Sequence, residues 1–560
     1  MFKKYWPLII VLLIGGSLRL YGLLNAPISL FSDEVDMGYQ AYSLIKTGCD
    51  YSGNCLPVQF HSFSDVQPGI PIYFIALANL LGVPMDLAIR LVPALFGLLG
   101  ILMTYLMIER LISKKIFDIH LPGAGLFGAL ILALIPWHVT YSRIGFSLAM
   151  LYFFVTAGFY FFAEYLIKRR NLFLYLSFIF LGLTPMVYNT AKMSILFYPF
   201  VLLLFPGAFD LFKKNLNFKV GLVAMFIPLA IMFLGGGTTA RFDYISIFSD
   251  PTAPTEINYQ RLLDSGPSAG VGSSPSLATK FFHNKPLWFG NNLLSNVFGL
   301  LSTDFLFTKG DPNQRHSPAN SGMLYRTLAP ILLVGIYFLI RFRHNRILSI
   351  LGLLTLVAIS TSAITREGAS HASRSFMMLL PIIVIGGVGL AYLKETQKII
   401  FSLVSLILVI EAGFFVHDYW YHYRYDSAGS WSYGMKEVIQ SAQKYPGQPI
   451  IISPKNENPI IFYAYYNRFD PRRFQQFIKD HALFNSMEGK NNLEGNRIGD
   501  TDFYIATLVD MNNKVENLLP NAVYYLTHLE TINSSVRSVS TNSDIITLPS
   551  GKPLFYEIHF

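Results

Sequence analysis

Charged side chains are what this chain has least of: only 14% of its 560 residues are Asp, Glu, Lys or Arg, against 52% hydrophobic, and the mean hydropathy is +0.42. That scarcity excludes a soluble globular protein of this size, which needs more polar surface around its core. With only two cysteines, a cysteine metal site is disfavoured against a disulfide or free thiols. The glycine-rich runs Gly235-Gly236-Gly237 and Gly266 to Gly272 do not continue into Gly-Lys-Ser/Thr, so neither is a phosphate loop, and a hinge or lid is the plainer reading. No dinucleotide fingerprint and no serine or cysteine nucleophile arrangement is present. No internal repeat of fixed period is found, which disfavours a secondary transporter built from duplicated halves. The net charge of +9 sits in short clusters between apolar runs instead of one basic stripe, which speaks against nucleic acid as a partner.

What the chain does have is a series of apolar runs of roughly 18 to 22 residues, the length that crosses a bilayer as a helix. The expected fold is an all-α polytopic membrane protein with about 11 spans, near 7–24, 88–108, 122–137, 145–166, 172–188, 193–209, 219–236, 325–340, 347–364, 375–392 and 399–416. The opening Met1-Phe2-Lys3-Lys4 resembles a signal peptide, but no small-residue cleavage pattern follows, so it reads as an uncleaved first span. With this count, Lys3/Lys4, Arg110/Lys114/Lys115, Lys168/Arg169/Arg170, Lys213/Lys214/Lys219, Arg341/Arg343/Arg346 and Lys394/Lys398 all fall on one side, the cytoplasm by the positive-inside rule. The N-terminus is then inside and the C-terminus outside. Pro68 to Leu81 would invert every later loop if counted as a span, so it is expected as a juxtamembrane helix.

The chain divides into a transmembrane part, 1–416, with outer loops at 25–87 and 237–324, and a small extracytoplasmic α/β domain, 417–560. In the second part, strand-like runs at Pro449 to Ser453, Asp502 to Leu508, Ala522 to Thr527, Asp544 to Leu548 and Leu554 to His559 alternate with helix-like stretches at Ser432 to Gln443 and Pro459 to Tyr466. Asn491 to Asn496 and Asn512/Asn513 read as surface loops. Pro251 to Ser276, rich in Ser, Pro and Gly, is expected to be mobile, and Trp288 to Leu300 reads as an interfacial helix. Cys49 and Cys55 would face an oxidising compartment; a disulfide between them is sterically possible, and two free thiols are the alternative.

Chemistry is concentrated in Phe31-Ser32-Asp33-Glu34, just beyond the first span. Carboxylates beside a bilayer are costly unless water, a partner charge or a reacting group satisfies them. Asp33, with Glu34 and Asp36, therefore suggests a base that accepts a proton from a hydroxyl; the bland alternative is a Ser32 cap with first-turn acids on a helix lying along the interface from Met37 to Lys46. The same acids with His61 and Asp65 have ligand atoms a divalent cation would accept, though no spacing here is specific to a metal. Arg143 and Lys192 lie in outer turns against the positive-inside trend, which suits a phosphate at the membrane surface or, equally, snorkelling or an ion pair with the acidic loop. Arg19, His371 and Arg374 share both readings. The loop Lys309 to His316, with Arg315 and His316, is either a folded polar clamp or an ordinary polar turn.

These residues resemble the GT-C superfamily of membrane glycosyltransferases, in particular the protein O-mannosyltransferases of glycosyltransferase family 39 and the lipid A aminoarabinose transferases. The resemblance covers roughly residues 1–420 and rests on Phe31-Ser32-Asp33-Glu34, Tyr39 and Ala41 leading to Gly48, the Pro68 to Gly82 segment running into Arg90-Leu91-Val92-Pro93-Ala94-Leu95, Ser142-Arg143, and Lys309-Gly310-Asp311 to Arg315-His316. It implies an inverting transferase in the cytoplasmic membrane that takes a sugar from a polyprenyl-phosphate donor on the outer face, to a glycan, lipid or protein acceptor among membrane lipids. Asp33 would be its base, Glu34 its support, and Arg143, Lys192 and Arg374 its phosphate ligands. Where the aminoarabinose transferases carry Glu-Lys before the proline, this chain has Val66-Gln67, which removes a cation and leaves Asp65 as the nearest carboxylate. The alternative function is a transporter or flippase of a lipid-linked envelope precursor. The sequence assigns no definite cofactor, and a divalent cation is compatible with the loop.

Overall fold

The computed structural model describes residues 2–62, 66–112, 115–236, 240–266, 274–318, 320–455, 457–481, 498, 501–505, 521–532 and 543–559. Six helices among them are long and apolar enough to cross a membrane: Met85–Leu111, Leu148–Lys168, Leu216–Leu234, Asn345–Ala363, Phe376–Thr396 and Lys398–Asp426. Four further expected runs form shorter apolar helices, Tyr5–Leu20, Ala124–Leu134, Asn171–Met186 and Leu328–Arg341, as does the expected juxtamembrane segment, Gly69–Leu80.

Proline accounts for much of the shortening. The helix from Ala124 ends because Ile135, ahead of Pro136, is extended (φ −63°, ψ 131°). The run at 193–209 breaks into Ala191–Ser194 and Tyr198–Leu203, with Pro199 at the start of the second piece and Gly207 at φ 74° beyond it.

The first helices are α1 (Phe2–Leu20), α2 (Ser32–Thr47), α3 (Gly69–Leu80), α4 (Met85–Leu111), α5 (Ala124–Leu134), α6 (Pro136–Tyr141) and α7 (Leu148–Lys168). α4 has 27 residues, so its ends are ~40 Å apart. At its far end Arg110 and Lys168 both pair with the buried carboxylate of Glu164. Other basic turns gather at that end: Asn215, beside Lys213 and Lys214, hydrogen-bonds Tyr165 at 2.8 Å, and Lys394 lies over the Phe127 ring at the start of α5. Arg90 and Glu34 meet at the opposite end. The bundle is thus electrostatically polarised along its length.

Close helix approach depends on glycine. A side chain at Gly387 would meet the Ala124 carbonyl of α5 at 2.6 Å, and one at Gly389 the Ile331 carbonyl of helix Leu328–Arg341 at 2.2 Å. Helix Leu379–Thr396 is thereby clamped between two neighbours, the small-residue packing expected where lipid supplies no hydrophobic drive.

α2 departs from expectation. It does not lie open along an interface: Val35, Tyr39 and Ala41 are buried, and Gly38 is pressed between Tyr465 and Ile89, whose atoms lie 2.6 and 2.7 Å from where its Cβ would stand. Its amino end is held by Glu34, whose carboxylate reaches back to the Phe31 N–H, so Ser32 is the first helical residue and not the cap. Gly48, at φ 73°, closes the other end. Cys49 and Cys55 are disulfide-bonded just beyond. β1 (Gln59–His61) and β2 (Val66–Pro68) form an antiparallel pair with Phe60 opposite Gln67.

The last apolar helix does not stop near 416 but continues through a wide π-type turn, Asp418–Tyr423, to Asp426. Beyond it, β3 (Ile450–Ile452), β4 (Phe503–Ile505), β5 (Val523–Thr527), β6 (Ser543–Thr547) and β7 (Pro553–His559) make one sheet in the order β4-β3-β5-β7-β6. β3 is parallel to β4 and β5, and the β5, β7 and β6 pairings are antiparallel. Helices Met435–Ala442, Pro459–Tyr466 and Pro471–His481 accompany it. In the stretch expected to be mobile, Ala253–Ser265 is a helix, opened by Pro254 in its first turn; residues 267–273 and both Asn-rich stretches lie outside the described residues.

Replacing Gly389 with Leu is expected to wedge helix Leu328–Arg341 away from its neighbour and destabilise the protein by roughly 1–3 kcal/mol. A thermal melt in detergent measures this; Gly352, whose added Cβ meets nothing within 4 Å, provides the control position and should tolerate Ala.

Candidate active site

The opening turn of α2 places two neighbouring acids in opposite environments. Glu34 is fully buried, and its oxygens accept from Arg90 Nε and Nη2 at 2.9 Å each, from the Gly145 N–H at 2.7 Å and from Phe31 N–H. Arg90 uses its remaining donors on the carbonyls of Leu23, Pro27 and Ser29, and its guanidinium lies 5.6 Å from the Trp431 ring. Glu34 is therefore committed to holding the turn after α1 against α4 and α7. Asp33, the next residue back, is exposed.

Asp36, one turn along, is buried and accepts from Gln67 Nε2 at 2.8 Å. Burial pushes its carboxyl up to about 8, hydrogen bonds from Tyr51 and Ser62 pull it down, and the charge of Asp33 raises it. Gln67 thus occupies the departure from the aminoarabinose pattern by binding an acid of α2. Tyr39 is a packing residue: its hydroxyl donates to the Phe469 carbonyl at 3.0 Å and its ring meets Tyr51 and Phe474. His61 pairs with Asp50, which raises its pKa, and Asp65 lies outside the described residues. The acids of this loop do not converge into a ligand set among the described residues.

Arg143 is not placed to bind a phosphate. It is wholly buried, its terminal nitrogens donate to the carbonyls of Leu18, Arg19, Tyr21, Gly22 and Ala26, and it stacks on Trp420 at 4.6 Å and Tyr419 at 5.4 Å. A cation at the carboxyl end of α1 offsets its exposed carbonyl dipoles. Arg19 is likewise spent, on Gly15, Leu132 and Ala133 carbonyls and His138 Nδ1.

Tyr188 feels the charges of both Asp33 and Arg374, and its hydroxyl hydrogen-bonds Ser373. Arg374 donates to the Thr365 hydroxyl and the Arg366 carbonyl at 2.7 Å each. Arg315 lies over the ring of Phe31 at 5.5 Å. Lys192, half-buried, donates to Gln59 Oε1 at 3.3 Å on the strand next to Gln67; burial lowers it to about 8. The loop carrying Arg315 is a folded clamp: Asp311 N–H donates to Ser317 Oγ, Asn313 N–H to Asp311 Oδ1, and His316 N–H to the Asn313 carbonyl. Asp311 Oδ2 bonds His316 Nδ1 at 2.7 Å and the Ala372 N–H at 2.8 Å, so the clamp is tied to the segment bearing His371.

Residues 66–233 match the model of the dolichyl-phosphate-mannose-protein mannosyltransferase family. In that segment, under a third of the chain, the protein resembles those mannosyltransferases. Among solved structures, the oligosaccharyltransferase AglB of Archaeoglobus fulgidus, in complex with an inhibitory peptide and a dolichol-phosphate, aligns at 15% identity and a TM-score of 0.46, over 83% of this chain and 64% of that one. ArnT of Cupriavidus metallidurans, bound to undecaprenyl phosphate, aligns at 11% identity and a TM-score of 0.42, over 98% of this chain and 97% of that one. No curated protein sequence matches significantly.

Ser373, Tyr188 and Trp431 escape a reading of the sequence as site residues, and Arg90 enters it only as part of a resembling motif, since nothing local marks the partner of any of them. The Glu34–Arg90 pair is expected to be the more sensitive to substitution: Arg90→Ala leaves a buried charge and should cost about 3–5 kcal/mol in an unfolding measurement, with no rescue by Arg90→Lys, which lacks the fork. Asp36, raised from 3.8 to about 8 in the folded state, stabilises fully below its unfolded value and loses that contribution as pH rises toward about 8. The melting temperature of the wild type should therefore fall across that window relative to Asp36→Asn.

Proposed function

We propose that this protein is an inverting glycosyltransferase that moves one sugar from a polyprenyl-phosphate carrier to a hydroxyl acceptor on the outer face of the cytoplasmic membrane. The observation that carries the reading is the exposed carboxylate of Asp33 on a turn held rigid by the buried Glu34–Arg90 pair, with Arg374 acting on the same Tyr188. The family match over 66–233 supports a lipid-phosphate donor.

In this reading Asp33 accepts the proton of the acceptor hydroxyl as its oxygen attacks the anomeric carbon. The bond from that carbon to the phosphate oxygen breaks, and the polyprenyl phosphate leaves with the bonding electrons. Arg374, Arg315 and Lys192 balance the negative charge that develops there. Arg143 drops out of this role and acts by fixing the end of α1. A single displacement inverts the anomeric centre, by analogy with inverting hydrolases.

The polarity of the bundle supports the proposed sidedness. The basic turns gather at the end bearing Arg110 and Lys168, and the positive-inside rule makes that end cytoplasmic and the Asp33 end external. A transporter or flippase would keep essential charges in mid-bilayer. Glu164 is instead neutralised by Arg110 and Lys168, and Glu411 accepts the N–H groups of Arg326 and Thr327 at the start of a helix.

Asp33→Asn is expected to lower transfer about 10²–10⁴-fold, with thermal stability and binding of the lipid-phosphate sugar close to wild type. Transfer at the wild-type rate by that variant would remove Asp33 as base, and unimpaired transport in the absence of any transfer product would favour the flippase.

A further inference from the structure

His316 and His371 face each other with ring centroids 4.9 Å apart, at a place where His316 is buried and His371 half-buried. With Asp311 they form a group whose ligand atoms, one from each residue, all lie within 4.8 Å of one another. We propose that this group binds one divalent cation of the zinc class.

His316 Nδ1 bonds Asp311 Oδ2 at 2.7 Å, and His371 Nδ1 bonds Ser373 Oγ at 3.0 Å. For one cation to take a ligand atom from all three residues, His316 ligates through Nδ1, the nitrogen that faces Asp311 Oδ2, and the cation stands in place of the proton shared between them, while Ser373 fixes the orientation of the His371 ring as outer hydroxyls do for ligating histidines. Asp311 is itself fixed by the N–H groups of Asn313 and Ala372. Two imidazoles and one carboxylate are a zinc donor set, and three protein ligands leave a coordination position open.

The position is close to the α2 turn. Phe146 stacks on Phe31 at 5.3 Å and touches the His316 ring at 5.8 Å, while the Tyr141 ring lies 6.1 Å from that of His316. An anionic oxygen is the ligand such an open position takes; that it belongs to the donor phosphate rests on the function proposed above.

The test uses the full chain in lipid nanodiscs, stripped with a chelator, loaded with Zn²⁺ alone, desalted and assayed for metal by mass spectrometry. About one zinc per chain is expected in the wild type, with Co²⁺ giving a visible absorption band in its place. His371→Ala and His316→Gln are expected to fall to background while their thermal melts stay cooperative, and Asp36→Asn should retain the metal. Should His316→Gln fail to fold, the half-buried His371 still decides. No zinc retained by the wild type, or equal retention by His371→Ala, overturns the proposal. Because no sugar donor is present, that result leaves the Asp33 reading untouched, and loss of transfer by Asp33→Asn leaves the metal site untouched.

Discussion

A carboxylate and a guanidinium both shut away from water are tolerable only when their geometry is good and every remaining donor and acceptor is used. Glu34 and Arg90 meet that condition: two parallel bonds join them, and the other donors and lone pairs reach the backbone of the turn after α1, of Phe31 and of Gly145. The pair therefore locks three parts of the chain to one another, the end of α1, the start of α2 and the entry to α7. Asp33 is carried on that locked turn, so its direction is set by its buried neighbour Glu34.

The C-terminal part contributes a second layer of the same constraint. Tyr465 bonds Asp86 at the head of α4, Gln475 donates to the Asp50 carbonyl after α2, Trp431 meets both Phe31 and Arg90, and Tyr423 donates to the Gln314 carbonyl in the Asp311 clamp. α2 is thus sandwiched between membrane helices and the segment beyond the last long helix. Such burial explains why an amphipathic stretch with acids in its first turn is not a surface helix here, and why the neutral form of Asp36 is favoured.

Much of the architecture was legible because apolar length is a local signal. The long helices fall on the long apolar runs, whereas the breaks at Pro136 and Pro199 interrupt runs expected to be continuous spans. The strands beyond 450 follow short β-branched and aromatic runs. The acid pair at 33 and 34 was visible for the same reason, as an anomaly at a membrane edge. Partners were not visible, because a charge in a sequence announces a cost without naming what offsets it. Arg143 was singled out as a cation in the wrong place, yet its partners are backbone carbonyls more than a hundred residues earlier. Glu34 and Arg90 are 56 residues apart, and Asp311 reaches a backbone amide 61 residues away.

The central claim is that the external end of the bundle holds a sugar-phosphate between Asp33 and the cations of the neighbouring loops. A structure determined with a non-transferable polyprenyl-phosphate sugar tests it most directly. The account predicts the sugar at the first turn of α2, beside Asp33, with the phosphate against Arg374, Arg315 or Lys192. A headgroup at the Arg110–Glu164 end, or bound away from Asp33 with Arg143 released to it, would contradict it.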